Sequence, residues 1–426
     1  MLRRIYHYAV YRLRILIGEE KYFLLQLRKN RILQARILWK IRKKEKINVV
    51  FFLINESVWK YDQLFQLFQT DSRFNPTILI CPNISFGEES MLNDMGKAYN
   101  FANKKGYQTI KSLKENGNWV DVNKELEPDI IFFSNPHDIT KSEYYIHNFK
   151  DKLTCYVPYS FQVSDLYEMQ FNQDFHNLTW KNFYETEIQR KIAIVYARNK
   201  AKNVVITGYP GCDHLISTKY KPEKKWKSET AKKIIWAPHH TILDTDSDLP
   251  YSNFLKYCHT MINLAEASTN NIQIAFKPHP ILWHKLSQDS IWGKKKTEDY
   301  YRRWQNAEYG MIEDGDYIDL FLTSDAIIHD SGSFVAEYLH VNKPAYFCVK
   351  SEETLNHFNE FGKLALSNYY LIYNEVDLLK IINENILKES DPMQIERTQF
   401  INEYLVLKDG LTASENIYNY IKSMLK

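Results

Sequence analysis

Short apolar runs alternate with polar, helix-periodic segments along most of the chain, and this alternation restricts the possible folds most strongly. INVVFFLI at 47–54 is rich in β-branched and aromatic side chains, which predicts a buried strand, and 58–69 has the spacing of an amphipathic helix. TILICP at 77–82 and PDIIFFSNP at 128–136 predict further strands. Strands that alternate with helices form βαβ units, in which the strands run parallel. The chain is therefore predicted to be an α/β protein with doubly wound parallel sheets.

The length of 426 residues exceeds the size at which one hydrophobic core usually stops growing, so more than one domain is expected. A lysine-rich segment at 216–233 separates two sets of alternating elements, and 180–200 before it has the pattern of a helix. We predict two Rossmann-like domains. The predicted parts are a basic helical arm at 1–46, an N-terminal domain at 47–202, a C-terminal domain at 203–395, and C-terminal helices at 396–426 that pack back on the N-terminal domain.

The first 46 residues differ in charge from the remainder of the chain. They carry 14 Lys/Arg against three Glu, a net charge of +11, whereas the remaining residues together have a net charge of −8. Their apolar residues recur at helical spacing, which predicts basic amphipathic helices. Such helices suit an anionic membrane surface, and they could equally pack on the body or on a second subunit. The acidic body argues against a nucleic-acid partner.

Cysteine usage and hydropathy indicate the compartment. The five cysteines are dispersed without CxxC spacing, which is typical of reduced thiols and argues against a disulfide framework or a cysteine zinc site. No apolar run is long enough to span a bilayer, and four arginines within 1–17 interrupt the apolar region that a signal peptide requires. We expect a cytoplasmic protein, associated peripherally with the inner face of the membrane through 1–46.

Three segments of the second half place polar residues directly after an apolar strand. They are KKIIWAPHH (232–240), IQIAFKPHP (272–280) and DAIIHDSGSFVAEYL (325–339). In open α/β sheets, ligands bind outside the carboxyl ends of the strands. We therefore predict one ligand site at one edge of a sheet, formed by His239, His240, Lys277, His279, Asp330, Ser331, Gly332 and Ser333.

The Ser331-Gly332-Ser333 turn precedes a predicted helix. Backbone amides at a helix start lack intrahelical acceptors, and small residues with hydroxyls let an anion approach them, so the turn is a candidate diphosphate site. The alternative is a serine cap without a ligand. Glu337 lies one helical turn after Ser333 and is predicted to accept from ribose hydroxyls, unless it is simply a solvated helix residue.

His279 lies between two prolines, which restrict the backbone on both sides and hold the ring in one direction. We expect its imidazole to donate to a diphosphate oxygen and stabilise a leaving group. Neither GxGxxG nor GxxxxGK[ST] is present, which argues against dinucleotide and P-loop chemistry. Asp244 and Asp246 have the Asp-x-Asp form of some metal sites but occupy a polar loop. No metal and no cofactor other than a nucleotide-activated donor substrate is expected.

The second half of the chain resembles the C-terminal half of the CDP-glycerol glycerophosphotransferase family, the teichoic-acid primases and polymerases. The resemblance rests on three motifs in this order: APHHT, KPHP and DLFLTSDAIIHDSGSFVAEYLHVNKPAYF. The family pattern is matched by Asp319, Asp325, Asp330, Ser331, Ser333, Glu337, Lys343 and Pro344, and GYP at 208–210 matches a further motif. The resemblance implies a GT-B fold, with two Rossmann-like domains facing a cleft and a CDP-alcohol donor in the C-terminal one. It also implies metal-independent transfer, contact of His279 with the donor diphosphate, and a peripheral membrane enzyme with a lipid-linked acceptor.

The resemblance leaves the catalytic base open. Family members carry a His-Gly-Thr motif at a strand tip of the N-terminal domain, whereas CYVPYSFQ at 155–162 has Tyr159 and Ser160 there. Acidic residues of the N-terminal half, Tyr159 and His137 are candidates, with His137 slightly favoured. The predicted catalytic residues are thus His279, His239 and His137.

The function predicted from these observations is transfer of a glycerol-phosphate, ribitol-phosphate or sugar unit from a nucleotide-activated donor to a lipid-linked or polysaccharide acceptor. Teichoic acid or capsule biosynthesis would be the setting. The alternatives are a nucleotide-sugar 2-epimerase, a CMP-sugar enzyme similar to sialyltransferases, and a degenerate glycan-binding scaffold.

Overall fold

The computed structural model describes residues 18–243, 249, 251–267, 271–313, 315–407 and 410–426. It divides into two compact units, each with its own parallel sheet. The first unit contains the described residues up to Ser160, then Tyr167–Pro210 and Leu411–Lys426; the second contains Phe161–Leu166 and the described part of Gly211–Gly410. The first 17 residues of the predicted arm and the Asp244–Asp246 motif lie outside the described residues. No described helix is long and apolar enough to cross a membrane.

The sheet of the first unit has seven parallel strands in the order β3-β2-β1-β4-β5-β6-β7. β1 is buried at six of its seven positions, as expected for a strand with both faces covered. The strands are β1 (Ile47–Leu53), β2 (Phe74–Ile80), β3 (Thr109–Lys111), β4 (Ile130–Phe133), β5 (Leu153–Tyr156), β6 (Lys181–Tyr184) and β7 (Val204–Ile206). The helices are α1 (Glu19–Arg42), α2 (Asp62–Thr70), α3 (Glu88–Lys104), α4 (Asp174–Leu178), α5 (Glu187–Tyr196) and the C-terminal helix (Ala413–Met424).

Helix α1, the described part of the basic arm, packs on the first unit. Leu27, Leu38 and Ile41 are buried, and the side-chain amides of Asn30 and Gln34 both donate to the backbone carbonyl of one residue in α4. Of the alternatives given for the basic arm, packing on the body of the protein is the one observed for α1.

Three sequence predictions differ from the elements and units of the structure. The helix predicted over 180–200 is the strand β6 followed by α5, and β7 pairs with β6 although 203–395 was predicted as the second domain. The predicted C-terminal segment 396–426 is divided, because its part up to Gly410 belongs to the second unit. The C-terminal helix packs in the first unit, where the hydroxyl of Tyr418 donates to Asp71 at 2.6 Å.

The sheet of the second unit has six parallel strands in the order β10-β9-β8-β11-β12-β13. They are β8 (Lys232–Ala237), β9 (Ile272–Phe276), β10 (Gly310–Ile312), β11 (Ala326–His329), β12 (Ala345–Cys348) and β13 (Tyr370–Ile372). The helices are α6 (Asp213–Ile216), α7 (Phe254–Glu266), α8 (Leu282–Leu286), α9 (Gly293–Asn306), α10 (Ile318–Thr323), α11 (Phe334–Glu337), α12 (Glu352–Asn356), α13 (Glu360–Leu366), α14 (Glu375–Lys380) and α15 (Gln394–Phe400).

Aromatic packing holds the central strands of the second sheet. The ring of Trp236 in β8 stacks on Phe276 in β9 and Phe254 in α7, with centroid distances of 5.0 and 5.7 Å, and it also contacts Trp304 in α9. All four side chains are almost completely buried. Offset aromatic pairs of this kind contribute about 0.5–1.5 kcal/mol each beyond their area burial. The strand ends that precede the predicted site therefore rest on a rigid core.

Candidate functional site

Three neighbouring strands of the second sheet end at one edge, and the predicted site residues follow them directly. β8 pairs with β9 and with β11, and the register sets Trp236 beside Phe276 and Ala237 beside His329. Strand order reverses between β8 and β11, so this edge is the switch point at which open α/β sheets bind ligands. The residues that leave the sheet together are His239, His240, Lys277, His279, Asp330, Ser331, Gly332 and Ser333.

Asp330 connects two chain segments below this edge. The residue is 2% exposed; one carboxylate oxygen accepts from the backbone amide of His239 at 2.6 Å, and the other accepts from the backbone amide of Asn253. Burial raises the pKa of Asp330 to about 7, against the opposing effect of these amide hydrogen bonds. Both oxygens thus position the loop after β8 and the start of α7, and direct contact of Asp330 with a donor remains a prediction.

His239, His240 and His279 form a cluster of imidazoles. The ring centroids are 4.3 Å apart for His239 and His240, 4.3 Å for His240 and His279, and 5.1 Å for His239 and His279. One ring nitrogen of each residue lies within 4.8 Å of those of the other two. The cluster therefore offers three nitrogen atoms to a single bound group.

A local hydrogen bond sets the tautomer of His279. The backbone amide of Ile281 donates to Nδ1 of His279 at 3.2 Å, so the proton of the neutral ring is on Nε2. The backbone amide of His279 donates to the carbonyl of Pro238, also at 3.2 Å, and this bond ties the loop after β9 to the loop after β8. His279 therefore carries its proton on the nitrogen that can donate to a phosphate oxygen.

Burial, and after it the neighbouring charged groups, favours the uncharged form of at least two of these rings in the free protein. Burial lowers the pKa of His239 well below its ordinary value, and the other two imidazoles and Lys285 lower it further. Burial likewise lowers the pKa of His279, and His240, Lys277 and Lys285 add to the effect. If these imidazoles were protonated, their positive charges would repel one another. A bound anion offsets this repulsion, because it favours the charged form of a nearby imidazole. The cluster therefore favours an anionic ligand.

Ser331, Gly332 and Ser333 follow β11 and lead into α11, a helix of four residues. Ser333 precedes α11, and its hydroxyl makes no capping hydrogen bond within the described chain, so Ser333 is not a side-chain cap of this helix. Anion binding by the turn stays a prediction. A Cβ atom on Gly332 would lie 3.2 Å from the ring of Tyr251, which would have to move. The turn offers hydroxyls, but the backbone amides of Ser331 and Val335 already donate, to Nδ1 of His329 and to the carbonyl of Gly332, both at 3.2 Å. So short a helix also sums few peptide dipoles.

Lys277 and Glu337 make contacts inside the second unit. The ammonium group of Lys277 donates to the backbone carbonyls of Gly315 at 2.7 Å and Glu313 at 3.3 Å. Glu337 is 1% exposed and accepts from the hydroxyl of Tyr317. The alternative of a solvated helix residue is therefore wrong for Glu337, and contact of either side chain with a donor remains a prediction.

His137 follows β4 in the first unit, at the point where the order of that sheet reverses between β1 and β4. Its Nε2 lies 3.5 Å from the hydroxyl of Tyr159, and its Nδ1 lies 3.3 Å from the side-chain nitrogen of Gln173. Burial lowers the pKa of His137, with an opposing effect from Asp138. Two of the predicted base candidates, His137 and Tyr159, are thus neighbours. His137 also lines a cavity of about 20 Å³, together with Asn135, Ser134 and Thr140 among others.

Two residues that the sequence analysis did not single out support His239. The hydroxyl of Thr241 lies 2.9 Å from Nδ1 of His239 and accepts from the backbone amide of Tyr251 at 3.1 Å. The ring of Tyr251 meets that of His239 edge to face, with centroids 5.7 Å apart. Thr241 follows His240 directly in the APHHT segment and could have been found there. Tyr251 lies beyond a polar loop, where no periodic pattern points to it.

Solved structures with the same fold include several enzymes of cell-envelope and nucleotide-sugar chemistry. The wall teichoic acid polymerase TagF is 13% identical, with 96% of this chain and 98% of that chain covered and a TM-score of 0.57. A UDP complex of MnaA from S. aureus is 17% identical (89% and 97% covered, TM-score 0.55), and UDP-GlcNAc 2-epimerase from Neisseria meningitidis bound to UDP-GlcNAc is 14% identical (89% and 100%, TM-score 0.53). These similarities confirm the predicted α/β fold of the GT-B type.

Sequence comparison identifies the enzyme class. No curated protein matches the chain significantly. The family model for CDP-Glycerol:Poly(glycerophosphate) glycerophosphotransferase matches residues 178–423, more than half of the chain, and this range contains the histidine cluster and the serine turn. The resemblance found in the sequence is thereby confirmed, and the chain is a transferase that belongs to the CDP-glycerol:poly(glycerophosphate) glycerophosphotransferase family.

Proposed function

We propose that the chain transfers a glycerol-phosphate unit from CDP-glycerol to a hydroxyl group of a lipid-linked or polysaccharide acceptor of the cell envelope. Family membership supports the class of reaction. The observation that best supports the proposed donor site is the convergence of the three imidazoles at the switch point of the second sheet, next to the serine turn. Ribitol-phosphate and sugar donors are the alternatives that the binding experiment below distinguishes.

The proposed step is a displacement at phosphorus. The acceptor oxygen bonds to the phosphorus that bears glycerol, the bridging P–O bond of the diphosphate breaks, and CMP leaves with the negative charge. Hydrogen-bond donors held in place before the reaction stabilise such charge most effectively. We assign this role to Nε2–H of His279, to His239 and His240, and to the turn from Ser331 to Ser333. Turnover in this scheme needs no metal ion.

We propose His137 as the base that takes the proton of the acceptor hydroxyl. A general base must be unprotonated at the working pH, and the lowered pKa of His137 meets this condition. The hydroxyl of Tyr159 and the amide of Gln173 on its two ring nitrogens support its orientation. His137→Gln should lower kcat with little change in donor affinity.

We also propose that α1 contributes to binding of an anionic membrane surface, which would make the protein a peripheral enzyme on the cytoplasmic face. The helix face opposite its buried residues exposes Leu25, Ile32 and Trp39, with Arg28 and Lys40 on the same helix. Because α1 is packed on the first unit, surface substitutions test this better than deletion. Ile32→Ser with Trp39→Ser should weaken binding to anionic vesicles; unchanged binding would refute the role of α1.

The experiment that tests the donor proposal is thermal unfolding with CDP, CMP, UDP, GDP and ADP in the presence of EDTA. A ligand at about one hundred times its dissociation constant stabilises the folded state by roughly 2.7 kcal/mol. Stabilisation by cytidine nucleotides alone supports the proposal. A response to UDP or GDP alone would instead indicate a nucleotide-sugar donor.

Measurements of turnover then distinguish metal-independent transfer from metal-dependent transfer and from sugar epimerisation. CMP release from CDP-glycerol should require an acceptor and should persist in EDTA. Activity that EDTA abolishes and Mg²⁺ restores would refute metal independence. Interconversion of a nucleotide sugar without an acceptor would indicate the epimerase alternative.

A further inference from the structure

We propose that His239, His240 and His279 bind a transition-metal ion such as Zn²⁺, and that this ion competes with the nucleotide donor. One ring nitrogen of each residue lies within 4.8 Å of those of the other two, so small side-chain rotations bring all three to one ion. The ion has no part in the proposed turnover. The metal site stands on this geometry alone, whereas the competition rests on the proposed function.

The type of ligand restricts the type of ion. Imidazole nitrogen suits Zn²⁺, Cu²⁺, Ni²⁺ and Co²⁺, whereas Mg²⁺ and Ca²⁺ prefer oxygen ligands. Three histidines leave the fourth position of a tetrahedral ion to water, as in open zinc sites. The site should therefore discriminate strongly against the alkaline-earth ions that are abundant in cells.

The surroundings of the cluster both support and oppose an ion. The Thr241 hydroxyl, 2.9 Å from Nδ1 of His239, can accept the ring proton when Nε2 coordinates a metal, which is the usual outer-shell arrangement. Coordination by His279 through either nitrogen sacrifices the 3.2 Å hydrogen bond from the Ile281 amide. Lys277 and Lys285 repel a cation.

Competition with the donor follows from the chemistry of the ring nitrogen. A nitrogen that coordinates a metal has no proton to donate, so an occupied site loses the N–H groups assigned to the diphosphate. The ion also brings His239, His240 and His279 toward one point, where a diphosphate would otherwise lie. Zn²⁺ should therefore inhibit transfer, and a chelator should restore or increase activity.

The test uses the untagged full chain, stripped of metal, and titrates it with Co²⁺, whose visible absorption reports tetrahedral nitrogen ligation. We expect one equivalent to give an absorption band that Zn²⁺ abolishes and Mg²⁺ leaves unchanged. His240→Ala and His279→Ala should each lower Co²⁺ affinity by at least about tenfold, since even outer-shell changes cost 10–100-fold. His259→Ala and His284→Ala, which remove exposed histidines elsewhere in the second unit, should leave the band intact.

The outcomes separate the two proposals. Absence of the band, or its persistence in both cluster variants with unfolding transitions like wild type, overturns the metal site. Displacement of Co²⁺ by CDP supports competition, and simultaneous binding of both overturns it. A band that depends on the cluster in a protein that binds no cytidine nucleotide upholds the metal site and refutes the proposed donor.

Discussion

Replacement of His279 by asparagine isolates one hydrogen bond of the proposed donor site. The Oδ1 atom of asparagine can take the place of Nδ1 and accept from the Ile281 amide, which the structure shows at 3.2 Å. The amide nitrogen of asparagine then lies near the position of Cδ2, so no donor reaches the position of Nε2–H. A hydrogen bond to a charged group contributes about 1.5–3 kcal/mol, which corresponds to roughly 10- to 150-fold in affinity. We therefore expect His279→Asn to bind CDP more weakly by that factor and to remain folded.

Titration calorimetry with CDP in EDTA measures this change directly. His284→Asn is the matched control, because His284 is an exposed histidine five residues further along and should bind CDP as wild type does. Thermal unfolding without nucleotide checks that the substitution leaves the fold intact. An affinity within about threefold of wild type in a folded His279→Asn variant would mean that less than 1 kcal/mol is lost. The assignment of Nε2–H to the diphosphate would then be wrong.

Two further predictions concern pH. Because the pKa values of His239 and His279 lie below their ordinary range and an anion raises them, CDP-glycerol binding should take up protons. Calorimetry should then show tighter binding as pH falls from 7.5 to 6.0, by at most about tenfold per pH unit and proton; pH-independent affinity would contradict this. Neither ring nitrogen of the buried His176 has a hydrogen-bond partner in the described chain, and burial lowers its pKa to about 3. His176 therefore stays unprotonated in the folded state, whereas in the unfolded state it binds a proton below about pH 6.5, and this difference destabilises the folded state at low pH. His176→Leu should raise the free energy of unfolding by roughly 2 kcal/mol at pH 5, measured by urea unfolding, and should give no such gain at pH 7.5.

The central strands, and the meeting of the candidate site residues at one sheet edge, could be predicted from sequence because both follow from the same physical cause. A strand buried on both faces is a short apolar run, and the polar residues after it must lie at the sheet edge. The apolar runs that became β8, β9 and β11 are of this kind, and the site residues follow each of them within four positions. The order of the strands was not needed for this prediction, although it decides that the three ends are neighbours.

Strand β6 was missed because its apolar character is interrupted. It reads KNFY, and Asn182 within it is 1% exposed, with its side-chain amide donating to the backbone carbonyl of His176 at 2.8 Å. A buried asparagine is compatible with a sheet interior only when such a partner exists. That partner lies in another element, so the local pattern resembled the start of α5.

The roles of charged residues at the predicted site were harder to infer than their positions. All three charged residues were predicted to face a donor, yet each has a partner inside the second unit that is distant in sequence. The pairs are Lys277 with Gly315, Asp330 with Asn253, and Glu337 with Tyr317. A buried charge needs such partners, because leaving it unpaired is costly. Sequence spacing predicts the position of a charged residue in an element, whereas the partner of its side chain depends on the tertiary structure.

These internal contacts change the physical description of the proposed anion binding at the switch point. A cradle based on a helix dipole would be strong and independent of pH, but α11 has only four residues and contributes little of this kind. The charge of Lys277 is directed to backbone carbonyls. What remains is the charge of Lys285, which acts on His239 and His279, and a set of neutral donors, the imidazoles and hydroxyls. We expect such a site to hold a diphosphate mainly through donors that gain charge when the anion binds, and to release CMP more readily when the histidines lose their protons.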